Sequence, residues 1–340
     1  MRDTRRISAA LVGAILLVLV SACAGGGKNS MTVMMDVGYL PKHAPFFAAV
    51  ERGFFRAEGI DVTIMPGSGS TNTVTSVETG RVDAGFADFG ATIISQGRGA
   101  RVKQVNLLQA RSAYAVVAIE GNGINGWDDL RGKTLATEGA GAMTAMWPFA
   151  MSKLGLTEGD VHVVHASSGS KIPGLLARQW DANLALYISD QPAIDALGRE
   201  AVVLKWSDLG IDLYGNGMVV SDKKLAENPD QVRRFNRAMQ KGFLWSCAHP
   251  DEAAQDFRRQ VSGFETDTVT LAIREQCSLN WGTGRSANDF GVMDDAGAQK
   301  MLDVAQQFLG LPEDSGLTPD KVYTNDFLAP LHRDETIPAP

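Results

Sequence analysis

The chain is poor in the residues from which most enzymes assemble their chemistry. Five histidines (His43, His162, His165, His249 and His332) and three cysteines are scattered over 340 residues. No HExxH pair, no Cys/His cluster at zinc or iron–sulfur spacing and no Gly-x-Ser-x-Gly elbow can be found among them. A contiguous catalytic motif or metal site is thereby excluded, and no cofactor is implied by any local pattern. The turn Pro66-Gly67-Ser68-Gly69-Ser70-Thr71 lacks the second glycine pair of GxGxxG and the Lys-Ser/Thr of a P-loop, so nothing points to a nucleotide. Basic excess is also missing. With 32 basic against 39 acidic side chains the net charge is −7, which argues against a nucleic-acid partner. Such a surface does not steer anions from a distance, although a local pocket can still hold one.

Long apolar runs are absent but for one. Arg2, Arg5 and Arg6 precede the mostly apolar Ile7 to Val20, too short for a comfortable membrane span, and then Ser21-Ala22-Cys23. A charged start, a short apolar run and small residues before a cleavage point predict a secretory signal over residues 1–22. Cys23 after Val20-Ser21-Ala22 resembles the lipobox of bacterial lipoproteins, whose cysteine carries the lipid. Residues 23–30, rich in glycine, would then be a flexible tether. The expected product is exported and lipid-anchored to a membrane, periplasmic or at the cell surface. Its net charge is −9, because the leader removes three Arg and one Asp. Two cysteines remain, Cys247 and Cys277. Outside the cytoplasm such a pair predicts a disulfide, with two buried thiols as the alternative.

The length exceeds one typical core and predicts two lobes. Apolar runs at Thr32–Met35, Val62–Met65 and Val82–Phe86 alternate with helical periodicity at Pro45–Ala57 and Thr71–Thr79, the pattern of a parallel sheet flanked by helices. Strands are predicted at Val102–Leu108 and Tyr114–Ile119. The break Glu120 to Gly126 then marks the crossing into a second lobe of the same α/β kind, with strands at Lys133–Ala136, Val161–Val164, Leu184–Ile188 and Ala201–Leu204. The expected division is 31–119 for the first lobe, 120–212 for the second, 213–330 for the return and C-terminal helices, and 331–340 for a tail. Asn228-Pro229-Asp230 is a helix start, and Val232, Phe235, Met239 and Phe243 form one apolar stripe read as core.

In open parallel sheets ligands gather beyond the carboxyl ends of the strands, where helix N-termini offer free N–H groups. That places Asp36, Tyr39, His43, Ser68, Ser70, Thr71, Asp88 and Phe89 on the first lobe's side of a candidate site. On the second stand Thr137, Glu138, Gly141, Tyr187, Ser189 and Asp190. The four carboxylates suit a ligand with donor groups, such as an aminopyrimidine. Tyr39, Phe89, Trp147 and Tyr187 are candidates for sandwiching its ring, with a place in the core as the alternative for Phe89 and Trp147 and a helix cap as the alternative for His43 and Asp190.

Several segments in order resemble one family. Asp36 through Phe55 with Pro41, His43 and Gly53, then Gly80-Arg81-Val82-Asp83-Ala84-Gly85, Asp128 through Thr134, Asn228-Pro229 through Phe235, and Tyr323 through Leu328 are similar to the thiamin-pyrimidine-synthase-like and sulfonate-binding-like periplasmic binding proteins. The resemblance covers nearly the whole mature chain. It implies a type II periplasmic binding protein of two lobes, each with a central mainly parallel sheet flanked by helices. It further implies a monomer that closes on a small molecule and delivers it to the permease and ATPase subunits of an ABC importer. The preferred solute is a thiamin-precursor pyrimidine. The alternatives are an alkanesulfonate, taurine or a similar small anion, or a sensory role for the same fold. A synthase is disfavoured: the family enzyme's reactive lysine and histidine fall on Ala87 and Ala91, and its cysteine-rich motif is replaced by Tyr214-Gly215-Asn216-Gly217-Met218. Val37 stands where the pyrimidine binders carry an aromatic residue.

Overall fold

The computed structural model describes residues 29–139, 142–280 and 289–329. The leader, Cys23, Gly141 and the 331–340 tail, all named above, lie outside the described residues. The strands are β1 (Ser30–Met34), β2 (Asp61–Met65), β3 (Ala84–Asp88), β4 (Val102–Leu107), β5 (Tyr114–Ile119), β6 (Thr134–Thr137), β7 (His162–His165), β8 (Ala182–Leu186), β9 (Ala201–Lys205) and β10 (Asn216–Ser221). They form two five-stranded sheets, ordered β2-β1-β3-β10-β4 and β7-β6-β8-β5-β9. Each sheet has one strand running against its neighbours, β10 in the first and β5 in the second. Both are the strands by which the chain enters a lobe from the other one, so they arrive in the opposite direction.

Helices cover both sheets: α1 (Ala44–Glu51), α2 (Phe54–Ala57), α3 (Ser70–Glu78), α4 (Phe89–Gly97), α5 (Ala142–Leu154), α6 (Ser168–Leu176), α7 (Tyr187–Asp195), α8 (Asp222–Glu227), α9 (Pro229–Ala248), α10 (Pro250–Gln260), α11 (Thr266–Ser278), α12 (Asp295–Phe308) and α13 (Pro319–Val322). Three expectations need correction. Tyr114–Ile119, assigned to the first lobe, pairs with β8 and β9 in the second sheet, so the crossing lies at 108–113 and not at Glu120–Gly126. The single helix over Pro45–Ala57 is two, because Gly53 takes a left-handed φ of 76° between α1 and α2. The strand expected to reach Ile188 stops at Leu186, and Tyr187 opens α7.

The two crossings form a short ribbon. Leu108 and Gln109 N–H groups donate to Asn216 O (3.1 and 2.9 Å), and Gly215 N–H returns to Gln109 O (2.9 Å). One apolar cluster fills the first lobe, where the stripe Val232, Phe235, Met239 and Phe243 of α9 is fully buried. A second runs through both lobes, joining Phe89, Ile93 and Leu107 to Tyr114, Trp147 and Trp206 by way of Met301 and Leu302 on α12. At that seam Gly90 approaches so closely that an added Cβ would stand 3.2 Å from Met146 Sδ and 3.5 Å from Met301 Cε. Cys247 of α9 and Cys277 of α11 are bridged, with Cα atoms 5.7 Å apart. No described helix is long and apolar enough to cross a membrane.

Candidate functional site

The lobes face each other across a cavity of about 60 Å³. The first lobe contributes Asp36, Val37, Leu40, Lys42 and Ser70, with Asn216 from the second crossing. The second contributes Glu138, Met143, Lys171, Leu186, Ser189 and Asp190.

Asp36 stands just past β1, held there by the next turn: Gly67 N–H donates to Val37 O (2.9 Å) and Gly69 N–H to Asp36 O (2.7 Å). Gly67 is required at this approach, since a Cβ would lie 1.9 Å from Met35 O. The short 3₁₀ turn Pro41–His43 folds back so that Lys42 Nζ reaches Asp36 Oδ2 at 2.5 Å and His43 Nε2 reaches Oδ1 at 2.7 Å. Asn216 Nδ2 donates to Oδ2 (2.8 Å) and Val37 N–H to Oδ1 (3.0 Å). Four donors fill the roughly four acceptor positions of a carboxylate. Burial pushes the Asp36 carboxyl up, but the Lys42 charge and the bonds from His43 and Lys42 outweigh it and hold the group well below the usual carboxylate range. His43 Nδ1 accepts from Leu40 N–H (3.1 Å), so Nε2 carries the proton it shares with Asp36. The ring is neutral, in keeping with burial lowering its pKa against the pull of Asp36.

The opposite wall is looser. Lys171 of α6 donates to Leu184 O (3.2 Å), meets Glu138 Oε1 at 3.2 Å and stands 3.7 Å from Asp190 Oδ2. Burial works against its charge, and the two carboxylates raise its pKa regardless. Asp190, near the start of α7, accepts from Asn183 Nδ2 (2.8 Å), and burial raises its pKa further than Lys171 lowers it. Ser189 Oγ is buried and finds no hydrogen-bond partner among the described residues. Asp36 and Lys42 cancel in formal charge, whereas one lysine faces two carboxylates across from them, leaving the cleft one negative charge in excess.

Of the residues expected at the site, Asp36, Ser70, Glu138 and Asp190 meet at this cavity. His43 stands behind Asp36 with both nitrogens engaged. Tyr39 turns away, its hydroxyl donating to Ile64 O (2.9 Å) and its ring meeting Phe47 edge-on. Ser68 is exposed and bonded to Asn72, and Thr71 is half-buried on α3 off the cavity wall. Asp88 caps α4 through Ala91 N–H (2.9 Å) and accepts the hydroxyl of Tyr114 from the other lobe, with burial pushing its pKa up to about 6. Phe89 is core against Tyr214, Thr137 is buried against Thr144, and Tyr187 lies under Lys205 Nζ, 4.3 Å from the ring centre. Trp147 packs on Trp206. Among the described residues no aromatic ring lines the cleft, and the apolar surface they supply comes from Val37, Leu40, Met143 and Leu186.

The reading of the sequence missed Lys42, Lys171 and Asn216 as cavity residues. A signal existed for Lys171, which lies one helical turn before Leu175 on the buried face of α6. Among the described residues no three His, Cys, Asp or Glu side chains gather as a metal site.

The family described as NMT1/THI5 like matches residues 40–253, more than half of the sequence. The chain belongs to that family. This NMT1/THI5-like protein is 25% identical over 264 residues to the riboflavin-binding protein RibY of Chloroflexus aurantiacus, covering 71% of this chain and 75% of RibY. It is 23% identical over 321 residues to the 4-amino-5-hydroxymethyl-2-methylpyrimidine phosphate synthase of Candida albicans, covering 88% of each. Among solved structures it resembles the alkanesulfonate-binding protein SsuA from Xanthomonas axonopodis pv. citri bound to MOPS, with a TM-score of 0.65 at 16% identity over 88% of this chain and 98% of that one. The nitrate-binding protein NrtA from Synechocystis gives a TM-score of 0.68 at 13% identity over 88% and 87%. The fold is that of periplasmic binding proteins, with each sheet mixed.

Proposed function

We propose that this protein is the solute-binding receptor of an ABC importer, exported, held to a membrane through a lipid on Cys23, and handing a small solute to permease and ATPase subunits. The observation that carries the reading is the cavity between two similar lobes, into which each lobe sends a buried lysine and at least one carboxylate. A cavity of about 60 Å³ has room for about four waters. A solute therefore enters when the lobes part along the crossing ribbon and is retained when they close.

The solute we favour remains a thiamin-precursor aminopyrimidine. Its amino group can donate to Glu138 or Asp190, its ring nitrogens can accept from Lys42, and the aliphatic side chains can cover its faces. A small anion such as an alkanesulfonate is the second reading. It draws on the two buried lysines together with Ser70 at the first turn of α3, whose Gly69 cap leaves N–H groups free of side-chain partners. Synthase chemistry is not part of the proposal. Both lysines are ion-paired, whereas a nucleophilic amine must be neutral, and Ala87 and Ala91 carry no reactive group.

Native mass spectrometry of the purified full chain tests the reading, followed by thermal shifts with aminopyrimidines and sulfonates. A bound small molecule, unaltered on release, and a rise in Tm with one member of the panel are expected. Turnover of the pyrimidine or of added pyridoxal phosphate would overturn it.

A further inference from the structure

Among the described residues Lys42 is the one buried cation on the first lobe's wall, with 1% of its surface exposed. Its ammonium has three N–H donors, and among the described residues its hydrogen bond goes to Asp36 alone. Its Nζ also lies 5.7 Å from the centre of the Phe86 ring, and Lys42 lines the cavity, where an ammonium donor without an acceptor is costly. Asp36, in contrast, has no acceptor position left over after Lys42, His43, Asn216 and Val37. The second lobe shows the opposite imbalance. Glu138 and Asp190 share one lysine, and both carboxylates line the cavity.

Resting on the receptor reading above, we infer that Lys42 is the group through which the first lobe binds the solute, that Asp36 is its positioning residue, and that the solute is dipolar, presenting an acceptor or anionic group to Lys42 and a donor group to Glu138 and Asp190. His43 and Asn216 then act one step further back. They fix the Asp36 carboxylate, and Asn216 does so from the crossing strand itself, since its backbone O accepts from Leu108 and Gln109. The orientation of the solute follows from charge. Turned round, it would set its acceptor against two carboxylates and its donor against an ammonium.

Three probes on the same two-carbon frame separate the two ends: ethanesulfonate carries the acceptor end, ethylamine the donor end, and 2-aminoethanesulfonate both. Calorimetry on the full chain should show the two-ended probe binding at least tenfold tighter than either half. Lys42→Met should weaken both sulfonates tenfold or more and leave ethylamine within about twofold. Because Lys42→Met strands a buried carboxylate, the double variant Asp36→Asn/Lys42→Met is measured beside it, with folding checked by circular dichroism, and should show the same selective loss. Sulfonate binding that survives in the double variant would show that Lys42 is not the solute contact, and ethylamine binding that strengthens in Lys42→Met would make Asp36 the contact; either overturns the inference. Binding of 4-amino-5-hydroxymethyl-2-methylpyrimidine alone, unchanged by Lys42→Met, would overturn it too while leaving the receptor intact. No binding of any of the four by the wild type would sink both.

Discussion

The two walls of the cleft use the same kinds of side chain to different ends. Asp36 and Lys42 belong to a closed set in which each carboxylate oxygen is taken, at distances between 2.5 and 3.0 Å. Lys171 instead is divided between two carboxylates at 3.2 and 3.7 Å, beside a serine hydroxyl with no partner among the described residues. A closed set fixes geometry before anything arrives, and an open one can rearrange around the arrival. The first lobe thus supplies the reference surface and the second the adjustment.

The sharpest way to break this contrast is to remove one carboxylate from each wall. Asp36→Ala leaves Lys42 buried without a counter-charge and should cost about 3–5 kcal/mol in urea unfolding. Asp190→Ala leaves Lys171 its Glu138 partner and should cost about 1–2 kcal/mol. Equal losses would erase the distinction. The bridge between α9 and α11 braces the first lobe, and among the described residues the second has none. With a sequence separation of 30, Cys247→Ser/Cys277→Ser should lose about 3–4 kcal/mol on the chain-entropy account. Hydrogen exchange should then rise in α9 and α11 before it rises in the second sheet.

The turns offer a finer test. Gly67→Ala forces a Cβ to 1.9 Å from Met35 O and should cost about 1–3 kcal/mol, seen as a lowered Tm. At Gly139 of the second lobe the nearest atom would be the His165 ring at 3.6 Å, so Gly139→Ala should stay within about 0.5 kcal/mol. A further test is one of pH. Asp88 titrates near about 6 when folded against 3.8 in the unfolded chain, so the folded state binds the extra proton between those values. Wild-type stability therefore gains from this group as pH falls from 7 towards 4, and Asp88→Asn, which keeps an acceptor for the α4 cap, should lack that gain. Asp36 has the opposite sign. Its contribution is intact throughout this window and is lost only as pH falls below the ordinary carboxylate range.

The same contrast explains what could be read from the sequence. Asp36, Ser70, Glu138 and Asp190 were legible because strand exits and helix starts are local features. Lys42 was not, because a lysine between Pro41 and His43 has the composition of a surface turn, and only the fold-back onto Asp36 shows it to be buried. The strand Tyr114–Ile119 was found but given to the wrong lobe. Its burial on both faces is the same in either sheet, and its partners β8 and β9 lie some 60 to 90 residues further along. The aromatics were misplaced for a related reason: Tyr39, Phe89 and Tyr187 do flank the turns, but their rings point into neighbouring layers.

If the lobes part as proposed above, the seam where Met301 and Met146 crowd Gly90 would set how the jaws travel. Material packed without gaps on one side acts as a pivot, so displacement grows with distance from it and is greatest at the outer rim. On the receptor reading proposed above, a subunit that grips both rims would register capture as a change of tilt, and a bulkier side chain at Gly90 would alter the resting angle without touching any group that meets the cargo.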